Sequence, residues 1–437
     1  MLYRDAYSAL LNWKNSGSNK KCLMVRGARQ VGKTYLIKHF GENEYKNVVE
    51  INFLERPNLK AIFQGDLDVK SLLMNLTLYM PETHLEAEET LLFLDEIQEC
   101  PEAVTSLKFW ALDGRFDVIV SGSMLGIDYK RPSSYPVGYV DYLDMTALSF
   151  KEFLIATGVK QDVLDYIKDC YANKRNVSNP INQKMMELLR TYMVVGGMPD
   201  VVLKYLETNS YAEVDKVQKR ILTDYRYDIA HYASADLKIK AEACYFTLPQ
   251  QLGKSNHKFQ YSVVEKGSNA RKYGSSVEWL TQADLVSRVY NVDPLRTAMS
   301  NHKNENDFRL YPTDIGLLIG MMDYSIKSQI LGQNASLLAD DTKGGVYEAL
   351  IADMLYKSGK RDLFFSKNTQ GTFEIEFVLE TEEGLVPIEV KSGRSRSKSL
   401  DNLLKKEEIP YGYKLIDGNL GVFGKKITLP LYMAGLI

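Results

Sequence analysis

The residues Gly27-Ala28-Arg29-Gln30-Val31-Gly32-Lys33-Thr34 carry the spacing G-x-x-x-x-G-K-T. Each fixed letter has a chemical reason. Glycines let the backbone curl until successive N–H groups point at one anion. A lysine at this place reaches the β- and γ-phosphates of a nucleotide, and the threonine hydroxyl meets Mg²⁺. The candidate cradle runs from Gly27 to Tyr35. A second constellation is Leu91-Leu92-Phe93-Leu94-Asp95-Glu96: an apolar run with two acids at its C-terminal end. Open α/β sheets place ligand-binding groups there. Asp95 is the expected Mg²⁺ ligand, and Glu96 the group that polarises the attacking water. A third apolar run, Asp117-Val118-Ile119-Val120, leads into Ser121-Gly122-Ser123. Ser121 or Ser123 at that turn would touch the γ-phosphate or the water; an ordinary Ser/Gly turn is the alternative.

The C-terminal quarter holds another set of acids. Phe373-Glu374-Ile375-Glu376-Phe377-Val378-Leu379 alternates like a strand, and Val386-Pro387-Ile388-Glu389-Val390-Lys391 returns after a turn at Glu383-Gly384. Strand side chains repeat every two residues, so Glu389 and Lys391 share a face, with Glu376 across from them in a hairpin. Glu348, on a predicted helix from Val346 to Lys357, would be a third ligand, or an acid supporting the ligands, for a metal held by Glu376 and Glu389. Two carboxylates and an ammonium at strand ends suit Mg²⁺ binding and phosphodiester cleavage. Alternating charges on a solvated strand would read the same way. The basic, serine-rich stretch Lys391 to Ser399 follows, suited to a mobile loop or to gripping phosphates.

The elements that must position these residues can be read in outline. Cys22-Leu23-Met24-Val25 predicts a buried strand before the glycine loop, and Thr34 to Phe40 a helix whose N-terminus faces the anion. Val48 to Phe53 predicts another strand. Ser149 is placed to cap a helix through Phe153-Leu154. Residues 155 to 235 show helical apolar spacing, broken by a turn at Gly196-Gly197-Met198-Pro199. That region is either a lid over the nucleotide or a spacer bundle. Helical patterns from Ala241 and Ala270 then lead into Val286 to Tyr290, a polar stretch, and Phe308 to Tyr311. Helices followed by two strands suggest a winged helix. Lys254, Lys258, Lys266, Arg271 and Lys272 give it local positive charge for DNA phosphates; docking to protein fits equally.

A chain of 437 residues exceeds one core. The expected division is 1–154 for the nucleotide-binding core, 155–235 helical, 236–325 winged helix, and 326–437 for a second α/β domain. A net charge of −2 excludes a global basic field, so nucleic-acid contact must use local patches. Four cysteines far apart, with no C-x-x-C pair, argue against a zinc knuckle or disulfide scaffold and suit a reducing cytoplasm. No signal-peptide pattern opens the chain, and no apolar run approaches membrane-spanning length.

Together these blocks resemble a prokaryotic ATPase family that joins an AAA-type P-loop domain to a C-terminal domain of unknown function 4143. The resemblance rests on RGARQVGKT, LLFLDEIQ, SGS, SYPVG, LSFKEFL, GGMP, LYPTDIGLL and EIEFVLE with PIEVKSG. It implies an AAA core, a winged-helix region and a C-terminal fold similar to PD-(D/E)xK nucleases. Lys33, Thr34, Asp95 and Glu96 match its nucleotide motifs; Glu348, Glu376, Glu389 and Lys391 match its nuclease-like motif. The implied ligands are ATP and Mg²⁺, and the implied partners are DNA and further copies of the chain, since a neighbour's arginine commonly completes such sites. Two positions depart from the family pattern. Tyr139 stands where an arginine usually follows PVG, which leaves Arg115 or Arg131 to serve instead. Glu376 stands where the family usually has Asp.

Overall fold

Leu91 to Leu94 are apolar without interruption, so neither face of their strand can meet water, and such a strand needs neighbours on both sides and helices above and below. In the computed structural model every residue of β3, Thr90–Asp95, is buried. The structure describes residues 1–17, 20–123, 135–232, 235–254, 256–332, 340–391 and 397–437. Arg131 and residues 392–396 of the basic serine-rich stretch lie outside them. The chain forms two compact units. One comprises Met1, residues 3–147 and residues 282–284; the other comprises Leu2, residues 148–281 and residues 285–437.

In the first unit the strands are β1 (Cys22–Gly27), β2 (Asn47–Asn52), β3, β4 (Asp117–Ser123) and β5 (Val140–Asp144). They lie in the order β2-β3-β4-β1-β5, and every neighbouring pair is parallel. Parallel neighbours need crossovers, and the helices α1 (Asp5–Lys14), α2 (Lys33–Glu44), α3 (Val69–Tyr79) and α4 (Pro101–Asp113) belong to this unit. Ile51, Phe53, Leu59, Phe63, Leu72, Leu94, Leu107 and Val120 are among the residues of one buried core cluster. Ser121-Gly122-Ser123, for which an ordinary turn is the alternative, completes β4 in extended form. The reason is its pairing with β1, which runs along β4 as far as Gly27 opposite Ser123.

The second unit opens with a helix that the sequence marks locally. Ser149 caps α5 (Phe150–Ala156): its hydroxyl accepts from the Glu152 N–H, and the Glu152 carboxylate accepts from the Ser149 N–H. The helices α6 (Gln161–Ala172), α7 (Asn179–Val195), α8 (Pro199–Thr208) and α9 (Tyr211–Tyr232) follow. The two glycines before Pro199 are close-approach positions. A Cβ on Gly196 would fall 2.3 Å from Asp314 Oδ1, and one on Gly197 would fall 2.1 Å from the Leu148 carbonyl oxygen. Asp314 repays that approach by accepting from the Gly197 N–H at 2.7 Å and from Lys357 Nζ at 3.0 Å.

The remaining helices are α10 (Ala235–Phe246), α11 (Leu248–Leu252), α12 (Tyr261–Val264), α13 (Ala270–Gln282), α14 (Ile315–Met321), α15 (Tyr324–Leu331), α16 (Asp340–Lys357) and α17 (Lys398–Leu403). Among them run β6 (Val286–Asn291), β7 (Asn304–Pro312), β8 (Phe364–Lys367), β9 (Glu374–Thr381), β10 (Gly384–Lys391), β11 (Gly412–Ile416), β12 (Gly421–Phe423) and β13 (Lys426–Pro430). All eight strands form one mixed sheet in the order β12-β13-β11-β10-β9-β8-β6-β7. The antiparallel pair β6–β7 joins it through a parallel contact of β6 with β8, so one sheet takes strands from both sides of position 326.

Phe93, on β3 between β2 and β4, is fully buried. Phe93→Ala should destabilise the first unit by about 3–5 kcal/mol, since removing a buried ring loses both transfer energy and packing. Chemical denaturation followed by intrinsic fluorescence checks this; a loss within about 0.5 kcal/mol would contradict the core position.

Candidate nucleotide site and the C-terminal carboxylate cluster

The glycine loop lies between β1 and α2, and its backbone needs glycine at two places. Gly27 has φ +149°, and a Cβ there would fall 2.0 Å from the Met145 carbonyl oxygen. Gly32, at φ 93° and ψ 22°, is the left-handed N-cap of α2. The helix therefore starts at Lys33 with its first N–H groups directed at the loop. Lys33 Nζ donates to the Gly27 and Ala28 carbonyls at 3.0 and 2.8 Å, which holds the ammonium inside the loop. Ala28 and Val31 are buried, while Tyr35 is exposed. Arg29 and Gln30 fall between them in the loop, Gln30 with φ 63°. Burial lowers the Lys33 pKa to about 8, with Glu96 first and Asp95 next pulling the other way.

Asp95 gathers the site. Its Oδ2 accepts from Thr34 Oγ1 at 3.0 Å and from Asn52 Nδ2 at 3.0 Å. Its Oδ1 accepts from the Ser121 hydroxyl. The parallel register explains why these groups meet: Asn52 lies opposite Asp95 across β2 and β3. Ser121 closes the arrangement from β4. The side chain of Ser123 lies outside the described residues. Glu96 follows Asp95 in a left-handed turn, φ 53° and ψ 46°, and accepts a hydrogen bond from Gln98 Nε2. Arg115 forms a surface pair with Asp113, its Nε 2.7 Å from Asp113 Oδ1. Thr34 and Asp95 offer hard oxygen donors with one carboxylate, a set that suits Mg²⁺. Asn52 and Gln98 are the contributors that sequence reasoning missed. An asparagine ending the strand V-V-E-I-N was the available signal for the first.

A loop of backbone donors at a helix start, a half-buried lysine and a strand-end acid define a P-loop nucleotide-binding domain. Family comparison agrees and adds the rest of the chain. A model described as AAA domain matches residues 19–154, domain of unknown function 8612 matches 186–328, and domain of unknown function 4143 matches 343–432. The chain thus joins an AAA-type P-loop ATPase domain to C-terminal domains of unknown function 8612 and 4143. A search of curated proteins gives no match. Among solved structures it is similar to the Walker-type ATPase PABY2304 of Pyrococcus abyssi, at 12% identity and TM-score 0.43, over 74% of this chain and 96% of that one. It is also similar to the Aeropyrum pernix ORC1 protein in complex with DNA, at 11% identity and TM-score 0.29, over 77% and 93%. AMPPCP-bound DnaA of Aquifex aeolicus gives 11% identity and TM-score 0.29, over 64% and 88%. Scores this low transfer no residue's role.

The second unit brings Glu376, Glu389 and Lys391 together. Lys391 Nζ lies 3.1 Å from Glu376 Oε1 and 3.4 Å from Glu389 Oε1. Glu376 Oε2 also accepts from the Val390 N–H at 3.2 Å. Burial raises the Glu376 pKa to about 7; Lys391 opposes this, while Glu348 and Glu389 add repulsion. Glu389 Oε2 is buried without a hydrogen-bond partner among the described residues. Glu348, expected as a further metal ligand, is committed elsewhere. Its Oε2 accepts from Arg309 Nη1 at 2.8 Å and from the Tyr311 hydroxyl at 3.0 Å, and lies 2.9 Å from His257 Nδ1. Burial would raise the Glu348 pKa, yet Arg309, then His257 and Tyr311, hold it down at about 2. Arg309 is 1% exposed and also pairs with Glu374. Among the described residues no group of three or more His, Cys, Asp and Glu stands ready to hold a metal ion. Glu376, Glu389 and Lys391 therefore meet at one place, while Glu348, the further acid, is held by Arg309, His257 and Tyr311. Arg309, His257 and Tyr311 gave no sequence signal, since they reach Glu348 from separate elements.

Two outcomes test these sites. ATP affinity should fall by up to about tenfold per pH unit above about pH 8, where Lys33 loses the proton that phosphates require. Lys33→Arg, whose charge does not titrate there, should flatten that profile in calorimetry. A flat wild-type profile would contradict a lowered Lys33 pKa. In the second unit, Arg309→Met strands the Glu348 charge and should cost about 3–5 kcal/mol of stability, much of it regained in the double variant with Glu348→Gln. Denaturant midpoints check this, and equal loss in both variants would contradict it.

Proposed function

We propose that the chain binds and hydrolyses ATP with Mg²⁺, and that its C-terminal domain is a binding module governed by the nucleotide. The convergence of Thr34, Asn52 and Ser121 on Asp95 carries the first half of this reading. The backbone N–H groups of residues 28 to 34 and the Lys33 ammonium would receive the phosphates. Thr34 and Asp95 would hold the metal, which when bound spreads the charge that develops on the transferred phosphoryl group. Asn52 and Ser121 fix the Asp95 carboxylate so that no reorientation is needed during reaction. Glu96, one residue further on, would accept a proton from the attacking water.

The second half rests on charge pairing in the C-terminal cluster. Glu348 faces Arg309, and Glu376 and Glu389 face Lys391, so the acids are already compensated by the chain's own cations. A metal-dependent nuclease, directed at DNA, is the competing reading. The partnerless buried oxygen of Glu389 favours it, because such an atom is costly unless something meets it. The winged-helix region would supply DNA contact through Lys254, Lys266 and Arg271. Lys258 and Lys272 already pair with Asp307 and Glu265, which lowers their value for phosphates. Association into a homo-oligomer would bring in a neighbour's arginine, and this remains part of the proposal.

Lys33→Ala should abolish tight ATP binding. Glu96→Gln should keep binding and lose turnover by about 10²-fold or more, since the amide cannot take a proton. Calorimetry and phosphate release measure the two effects. Full turnover in Glu96→Gln would remove Glu96 from its role. Wild-type protein should leave single- and double-stranded DNA intact with Mg²⁺ or Mn²⁺, with or without ATP. Cleavage that disappears in Glu389→Ala and Lys391→Ala would establish the nuclease instead.

A further inference from the structure

Gln98 sits in the single turn Ile97–Glu99 that follows Glu96. Ile97 is fully buried and belongs to the core cluster, so the turn is anchored rather than free. Gln98 itself is 2% exposed, although its side chain is polar. Its Nε2 donates to Glu96 Oε2. A carboxylate only accepts, so this contact also decides which end of the amide faces Glu96. Among the described residues the other end, Oε1, is buried without a hydrogen-bond partner. A core position of this kind favours an apolar side chain of similar size, because the stranded oxygen loses its water and gains nothing. Packing therefore does not account for glutamine here; its contact with Glu96 does.

Gly122 is the second half of the arrangement. A Cβ at Gly122 would fall 2.5 Å from Gln98 Oε1 and 3.5 Å from Ile97 Cγ2. Gly122 is the strand residue next to Ser121, whose hydroxyl reaches Asp95. The space left by the missing side chain is thus the space that the Gln98 amide needs beside β4. Glu96 lies in a left-handed turn, where the backbone alone gives a long side chain little direction.

We propose that Gln98 is a positioning residue: its amide, admitted by Gly122, holds the Glu96 carboxylate in the orientation that ATP hydrolysis requires. The inference rests on the reading of Glu96 as the group that accepts the water's proton. It concerns orientation only, so nucleotide binding should not depend on it.

The test compares Gln98→Leu, Gln98→Met and Gly122→Ala with wild type in the full chain. ATP affinity is read by calorimetry, kcat by phosphate release, and Tm by scanning calorimetry. In all three variants kcat should fall about ten- to a hundredfold, with ATP affinity within about twofold of wild type. In Gln98→Leu and Gln98→Met the Tm should stay level or rise, because the stranded oxygen is gone. Loss of turnover without loss of stability is the signature that a merely structural glutamine would not give. Wild-type kcat in a folded Gln98→Leu or Gln98→Met overturns the inference, and so does a kcat loss that follows a fall in Tm. If Gln98→Leu fails to fold, Gln98→Met and Gly122→Ala decide. A wild-type protein that binds ATP but releases no phosphate overturns the hydrolysis reading and this inference together. Turnover in wild type with unchanged rates in the variants overturns this inference alone.

Discussion

One carboxylate holds the nucleotide site together. Asp95 takes hydrogen bonds from the start of α2, the end of β2 and the end of β4. Three elements far apart in sequence are thereby tied at one point. That tie is available only because β3 is fully buried between β2 and β4 in parallel register, so their C-terminal ends arrive side by side. The apolar run Leu91 to Leu94 supplies the driving force, and the acid at its end inherits a fixed position. A buried carboxylate with three hydrogen bonds is satisfied, so it can be kept dry without a large penalty.

The second unit solves a harder electrostatic problem. Glu348, Glu374, Glu376 and Glu389 all attach to one sheet or its packed helix, and several are buried. Arg309, fully enclosed, answers Glu348 and Glu374; Lys391 answers Glu376 and Glu389. Breaking such a pair is costly because the remaining charge has no water to turn to. The same pairing underlies the proposal that this domain is a binding module. Glu389 Oε2 is the point where compensation is incomplete.

Local chemistry was legible in the sequence where one short segment carries the whole device. The spacing from Gly27 to Thr34, the Asp95-Glu96 pair after an apolar strand, and the Ser149 cap are of this kind. The alternation through Glu376 and Glu389 likewise placed those acids on one face with Lys391. What escaped is what only tertiary structure assembles. Asn52 and Gln98 look like ordinary polar residues until β2 is laid beside β3 and Gly122 is seen to make room. Ser121-Gly122-Ser123 has turn composition, yet its pairing with β1 holds it extended. Arg309, on β7, has no periodic partner; Glu348 is on a helix 39 positions away. The acid that the motif nominated as a metal ligand is thus occupied by residues no motif includes.

The central claim is that Asp95, fixed by its three neighbours, makes nucleotide binding depend on Mg²⁺. Its most direct test is a calorimetric titration of ATP into wild type and Asp95→Asn, each with Mg²⁺ and with a chelator. The wild type should bind ATP about tenfold or more tightly with Mg²⁺ than without, and Asp95→Asn should bind nearly alike in both conditions. A Mg²⁺ dependence as large in Asp95→Asn as in wild type would contradict the account.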